Sequence, residues 1–206
     1  MIVMKFGGTS VESAEAIERI AGIVRGQLAR RPVVVVSAMG KTTNKLLAIA
    51  GAAAAGQRDA ALALLTELHQ FHKQESAGLG VEDQVHAHFE ELTELVKGIA
   101  VMGEMTPRAT DAVSAFGERL SSIIVTARFR SLGMDAAHLD SCLVIVTDRR
   151  HTQAAPIFAE TYRRACNTIP ALARKHVVVM GGFIGSTEDG VTSTLGRGGS
   201  DYTASI

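Results

Sequence analysis

The sequence predicts an α/β domain built on a mainly parallel sheet with both faces covered. Residues 33–36 and 177–180 are unbroken apolar runs rich in valine rather than alternating ones, the pattern of strands buried on both sides. The first run closes a strand–helix–strand series, which is the sequence form of a right-handed parallel crossover. Between the two runs, residues 44–132 are rich in Ala, Leu, Glu and Gln and show almost no alternation, which predicts consecutive helices inserted in, or capping, the sheet.

The elements follow in order. Residues 2–6 read as a strand, Gly7-Gly8-Thr9-Ser10 as the turn after it, and residues 12–30 as a helix. Its apolar face is Ala16, Ile20, Ile23, Val24 and Leu28, and Pro32 ends it. Residues 33–37 form the next strand, bounded by Pro32 and by Met39-Gly40. In the helical block Gly56, Gly78 to Gly80 and Gly98 to Gly103 mark the breaks. Strands resume at 134–139 and 142–147, a helix covers 156–167, and residues 177–181 return as a strand. Glu188-Asp189-Gly190 sits between short extended pieces and predicts a hairpin within 183–195, after which residues 196–206 are a glycine loop opening into a helix.

With 206 residues, 47% hydrophobic and 20% charged, there is material for one ordinary core. Twenty-one basic residues balance twenty-one acidic ones without a basic block, so the footprint of nucleic-acid binding is missing and a small-molecule or protein partner is expected. No apolar run approaches a bilayer span, and residues 1–8 lack a signal-peptide layout, so the expectation is a soluble, cytoplasmic protein without membrane contact. Cys142 and Cys166 have no metal-like spacing and read as core or surface thiols.

Two glycine-rich motifs carry the chemistry. In Lys5-Phe6-Gly7-Gly8-Thr9-Ser10 a strand runs through two glycines into a helix. Backbone N–H groups there can approach an anion, with Lys5 as a point charge on phosphate oxygens. The same residues also suit a plain tight turn with Ser10 as a helix cap, and both readings stand at this point. In Gly196-Arg197-Gly198-Gly199-Ser200-Asp201 the glycine density suits a loop that a substrate approaches. Arg197 offers a planar fork to a carboxylate or phosphate, and Asp201 can orient a lysine or a water; a surface ion pair between them is the plainer alternative. Gly40-Lys41-Thr42 imitates the end of a P-loop, but Val35 stands where that motif needs glycine, so a P-loop is rejected. His69, His72, His86 and His88 lack acidic or cysteine company in ligand spacing and read as exposed helix positions; no metal site is expected. Gly117-Glu118, within a helical stretch, means little by itself.

In combination, KFGGTSV at 5–11, SAMGKTTN at 37–44, Gly117-Glu118, GGFIGS at 181–186 and LGRGGSDYTA at 195–204 resemble the aspartate kinases of the amino-acid kinase superfamily, in that family's order and over the whole chain. The resemblance implies a three-layer α/β/α sandwich with a mainly parallel central sheet, truncated at its C-terminal side and carrying the helical insertion around 44–132. It implies transfer of the γ-phosphoryl group of ATP, with Mg2+, to the side-chain carboxylate of L-aspartate, the first step toward lysine, threonine and methionine. Carried over by position, Lys5 and Asp201 would be catalytic. Lys5, Gly7, Gly8 and Thr9 would bind the ATP phosphates, and Ser37, Thr43, Glu118, Arg197, Gly198, Gly199 and Ser200 would bind the substrate. Residues 1–206 are then expected to be the N-terminal, amino-acid-binding part of the catalytic domain, without the remaining ATP-binding part or the regulatory ACT domains. That part alone is expected to be inactive, and the full-length parent to be a homo-oligomer. Ser193 departs mildly from the family's threonine. A catalytically silent binding module of the same fold, or another amino-acid kinase, are the competing expectations.

Overall fold

Residues 1–206 are all described by a computed structural model. Seven strands, Ile2–Phe6 (β1), Pro32–Val36 (β2), Ala136–Leu139 (β3), Val146–Thr147 (β4), Val177–Gly181 (β5), Ile184–Thr187 (β6) and Thr192–Thr194 (β7), sort into two sheets. The main sheet is wholly parallel in the order β1-β2-β5-β3. The smaller one, β4-β6-β7, contains the expected hairpin, with β6 and β7 antiparallel around residues 188–190. Eight helices accompany them: Ala14–Arg25 (α1), Thr42–Ala54 (α2), Arg58–Ser76 (α3), Glu82–Met102 (α4), Pro107–Ser114 (α5), Phe116–Ser131 (α6), Phe158–Ala173 (α7) and Gly199–Ser205 (α8).

The period-two alternation of a strand sends successive side chains to opposite faces, and the central valines use both. Val34, Val36, Val177 and Val179 face Ile17, Ile20 and Val24 of α1 and Leu120 and Ile124 of α6 in the larger core. Val33, Val35, Val178 and Met180 face Val144, Ile145 and Ala173 in a smaller core, with Ile169 and Leu172 of α7 and Ala204 of α8 packed against it. Two helical layers therefore enclose the sheet, the α/β/α sandwich expected.

Several boundaries move. The expected helix over 12–30 is α1 alone, flanked by 3-10 turns at Gly8–Val11 and Leu28–Arg30, so the helix has ended well before Pro32. Its buried stripe is Ala16, Ile17, Ile20, Ala21 and Val24; Ile23 is exposed because it falls off that stripe, and Leu28 is exposed in the 3-10 turn after the helix has ended. The helical block is five helices, α2 to α6. Gly56, Gly78, Gly80 and Gly103 do break it, each with positive φ, but Gly98 lies inside α4. The strand expected at 142–147 shrinks to β4 at Val146–Thr147, preceded by a 3-10 turn, Ser141–Leu143, started by the Asp140 side chain accepting from Cys142 N–H at 2.9 Å. The helix expected at 156–167 runs on through Pro170 to Ala173.

One histidine expectation is overturned. His72 is fully buried where α3 packs on α4, its Nδ1 donating to Leu68 C=O at 2.9 Å and its ring against Phe71 and Phe89. Burial pushes its pKa down to about 4, so it is neutral near pH 7. No helix is long and apolar enough to cross a membrane.

Candidate functional site

The carboxyl ends of β1, β2 and β5 and the N-termini of α6 and α8 converge on a cavity of about 520 Å³. Ligand sites of open α/β sheets lie at this end of the strands. Lys5 comes from β1, Ser37 from just after β2, Thr43 from the first turn of α2, Glu118 from the first turn of α6, and Arg197, Gly198, Gly199, Ser200 and Asp201 from the loop into α8. Residues separated by most of the chain thus share one wall. Leu47 and Phe183 are its two hydrophobic members.

Glu118 is the most unusual of them. It is buried, with Oε1 accepting from the backbone N–H of Ala38 at 3.1 Å and Oε2 without any partner. Burial raises its pKa to about 8, against the lowering effect of the Ala38 hydrogen bond. The geometry depends on Gly117. A Cβ at that position would lie 2.7 Å from Cβ of Ala38, so only glycine lets α6 start against the strand-end loop that supplies the N–H. The unliganded carboxyl is thus mainly protonated near pH 7, and a cation brought to its free oxygen would favour the ionised form.

The opposite side is open. Lys5 Nζ and Asp201 Oδ1 are 2.8 Å apart, with the Asp201 side chain 74% exposed. Arg197 is exposed on its loop. Gly182 seats this half on the sheet: its N–H donates to Val36 C=O at 2.8 Å, and a Cβ there would lie 2.6 Å from Cα of Ser200, so the start of α8 packs directly on the end of β5. The cavity is lined by no His and no Cys. Its titratable side chains are Lys5, Glu118, Arg197 and Asp201, so it offers charges and backbone dipoles but neither an imidazole nor a thiol nucleophile.

Three predicted residues stand apart from the wall. Gly7, Gly8 and Thr9 do not line the cavity. Gly7 lies beside it, 3.8 Å from Lys5 Nζ to where its Cβ would be, while Gly8 is packed against the carbonyls of Ala38 and Gly40 and its own C=O accepts from Gly40 N–H at 3.0 Å. Thr9 is exposed. Conversely, Asn44, Thr110, Ser114, Thr152, Thr194 and Gly196 line the cavity without having been singled out. Asn44 and Gly196 adjoin recognised motifs, and Thr110 and Ser114 share one face of α5 at i,i+4 spacing. Thr152 carries no local signal. No group of three or more His, Cys, Asp or Glu is arranged to hold a metal ion.

Comparison with known proteins gives a consistent result. The chain is 38% identical over 208 residues to a chloroplastic aspartokinase 2 of Arabidopsis thaliana, covering 98% of this chain and 38% of that protein. It is 33% identical to the lysine-sensitive aspartokinase 3 of Escherichia coli, covering all of this chain and 45% of the relative. Among solved structures, E. coli aspartokinase III in complex with lysine and aspartate superimposes with a TM-score of 0.89 at 30% identity, and the same enzyme with aspartate and ADP with a TM-score of 0.88 at 31%. Each match covers 98% of this chain and 45% of the other. The chain thus spans less than half the length of these relatives. The profile of the amino acid kinase family matches residues 1–206 from end to end, and the chain belongs to that family.

Proposed function

We propose that this chain is the amino-acid-binding part of an aspartate kinase, acting in transfer of a phosphoryl group from ATP to the side-chain carboxylate of L-aspartate. The observation that carries the reading is the cavity wall itself, on which a buried Glu118 oxygen without a partner faces the same space as the Arg197 guanidinium and the Lys5 ammonium. A zwitterionic dicarboxylate matches that set. Its ammonium would fill the vacancy at Glu118 Oε2, a carboxylate would take the fork of Arg197, and the reacting carboxylate, ionised at neutral pH, needs no base from the protein. Ser37, Thr43, Gly198, Gly199 and Ser200 would complete the contacts to the amino acid.

ATP would supply the phosphoryl group. Lys5, held by Asp201, would neutralise charge on the phosphoryl oxygens as they approach the substrate, and Gly7, Gly8 and Thr9 would present backbone N–H groups beside it. On this reading the free Glu118 oxygen is reserved for the ammonium and Asp201 is paired with Lys5, so Mg2+ would arrive with the phosphates of ATP. The named partners of the E. coli enzyme structures, aspartate and ADP, support this choice of ligands. On the same reading the working protein is a cytoplasmic homo-oligomer, and light scattering tests the assembly. Titration of the chain with L-aspartate, D-aspartate and succinate tests the central claim. Binding of L-aspartate alone among the three is expected, and equal binding of succinate, which lacks the ammonium, would remove Glu118 from the site.

A further inference from the structure

Asp111, on α5, is completely buried and stands behind the cavity wall rather than in it. Its carboxylate gathers three donors from segments distant in sequence. The Thr194 hydroxyl, at the end of β7, donates to Oδ1 at 2.5 Å; the Thr152 backbone N–H lies 3.0 and 3.1 Å from the two oxygens; His151 Nδ1 lies 2.7 Å from Oδ2. Every neighbour is a donor, so His151 carries its proton on Nδ1 and the carboxylate is saturated. Thr152 is β-branched and has φ of +70°, a conformation such residues rarely hold without outside support.

Both threonines line the cavity; Thr152 packs against Gly196 of the glycine loop, and Thr194 stands two residues before it and is tied to the segment after Thr152. Thr194 C=O accepts from Ala154 N–H at 2.9 Å, and Thr152 C=O lies 3.0 Å from where a Cβ of Gly196 would be. A continuous path therefore runs from Asp111 through Thr152 and Thr194 to Gly196 and Arg197. There is also a chemical consequence at Thr194. A hydroxyl has one proton, and this one is given to Asp111, so toward the cavity Thr194 can only accept. Glu118 Oε2 is likewise an acceptor.

We propose that Asp111 is a positioning residue of the amino-acid side of the cavity: it polarises Thr194 into an acceptor for an ammonium group and holds the Gly196–Arg197 turn in register. The ligand assignment rests on the aspartate-kinase reading; the strut itself does not.

The test uses Asp111→Asn, which places an NH2 group among three donors, together with Thr194→Val and the double variant. In the unliganded chain, Asp111→Asn is expected to speed amide hydrogen exchange at residues 152–154 and 194–199 at least about tenfold while β1, β2 and β5 keep their protection. L-aspartate affinity should fall roughly tenfold or more, the scale of one charge-assisted hydrogen bond, with nucleotide affinity unchanged. Because Asp111 and Thr194 share one of the two arms of the strut, the double variant should lose less L-aspartate affinity than the sum of the single losses; fully additive losses would overturn the proposal. Unchanged exchange at 194–199 in Asp111→Asn would overturn it irrespective of any ligand. If Asp111→Asn does not fold, Thr194→Val carries the exchange measurement, with acceleration at 196–199 supporting the strut and wild-type exchange there overturning it. Faster exchange in a chain whose wild type binds no L-aspartate would support the strut and sink the reading of the cavity instead.

Discussion

The two ends of the cavity are built on opposite principles. At the enclosed end Glu118 is desolvated, held by one backbone N–H and left with an open oxygen. At the open end Asp201 and Arg197 stand largely in solvent, and Lys5, 25% exposed, reaches Asp201 from the strand end. The difference teaches where discrimination and where rate can come from. Ionising a buried carboxyl without a partner is costly, so the enclosed end favours a ligand whose cation can meet the Glu118 oxygen. Charges at the open end are weakened by water and salt until a ligand excludes them, so they gain their full effect only as phosphate closes over them.

The sharpest way to break this contrast is at Lys5. Lys5→Ala should lower the kinase rate roughly 100- to 1,000-fold with little change in the KM for aspartate, because its charge is needed where phosphoryl charge develops. Steady-state kinetics checks this, and an unchanged kcat would remove Lys5 from the chemistry.

Glu118→Gln probes the enclosed end through pH. The folded pKa of Glu118 is raised by burial from the ordinary 4.5 to about 8. The native state thus keeps a proton that the unfolded chain has released, and the wild type loses stability as pH rises from about 4.5 to about 8. Gln cannot ionise, so the variant should be more stable than wild type at pH 9, by on the order of a few kcal/mol, and show no such gain at pH 4. Urea unfolding at the two pH values decides it. An ammonium bound at Oε2 should pull the same pKa down, so aspartate binding at pH 7 should release protons, visible by calorimetry in buffers of different ionisation enthalpy.

A smaller effect belongs to Arg197. Arg197→Ala should weaken L-aspartate binding by about 2 kcal/mol, the low end for a charged pair because the side chain is exposed, and leave nucleotide affinity nearly intact. Equal losses for both would move Arg197 to the nucleotide. The isolated chain should bind ATP only weakly, with a Kd above roughly 100 µM, because Leu47 and Phe183 are the cavity's only apolar cover for a purine. Least of all, Asp201→Asn should change the stability of the fold by under about 1 kcal/mol, as for other exposed ion pairs, even though it frees Lys5.

How much of this was legible differs from element to element. The valines of β2 and β5 announced a two-faced sheet because burial on both sides leaves no polar position to alternate with. The glycine loop at 196–199 announced a site because glycine density is a poor structural choice anywhere else. His72 was misjudged because its burial depends on how α3 meets α4, and a helix face has no meaning until its neighbour is placed. Gly8 was legible as glycine by motif, and the structure adds a packing reason, since a Cβ there would lie 2.8 Å from the Ala38 carbonyl oxygen.

Local chemistry alone settled the strand-to-glycine turn at Lys5, the succession of helices over 44–132 and the polarity of the loop at Arg197, since each follows from residues adjacent in the chain. Tertiary structure alone decided that Glu118 is a buried, half-satisfied carboxylate, that Lys5 meets Asp201, and that Asp111 ties Thr152 to Thr194. Desolvation, ion pairing and hydrogen-bond saturation are set by which groups share a space, and chain segments 40 to nearly 200 residues apart come to share one only when the parallel sheet brings its strand ends together.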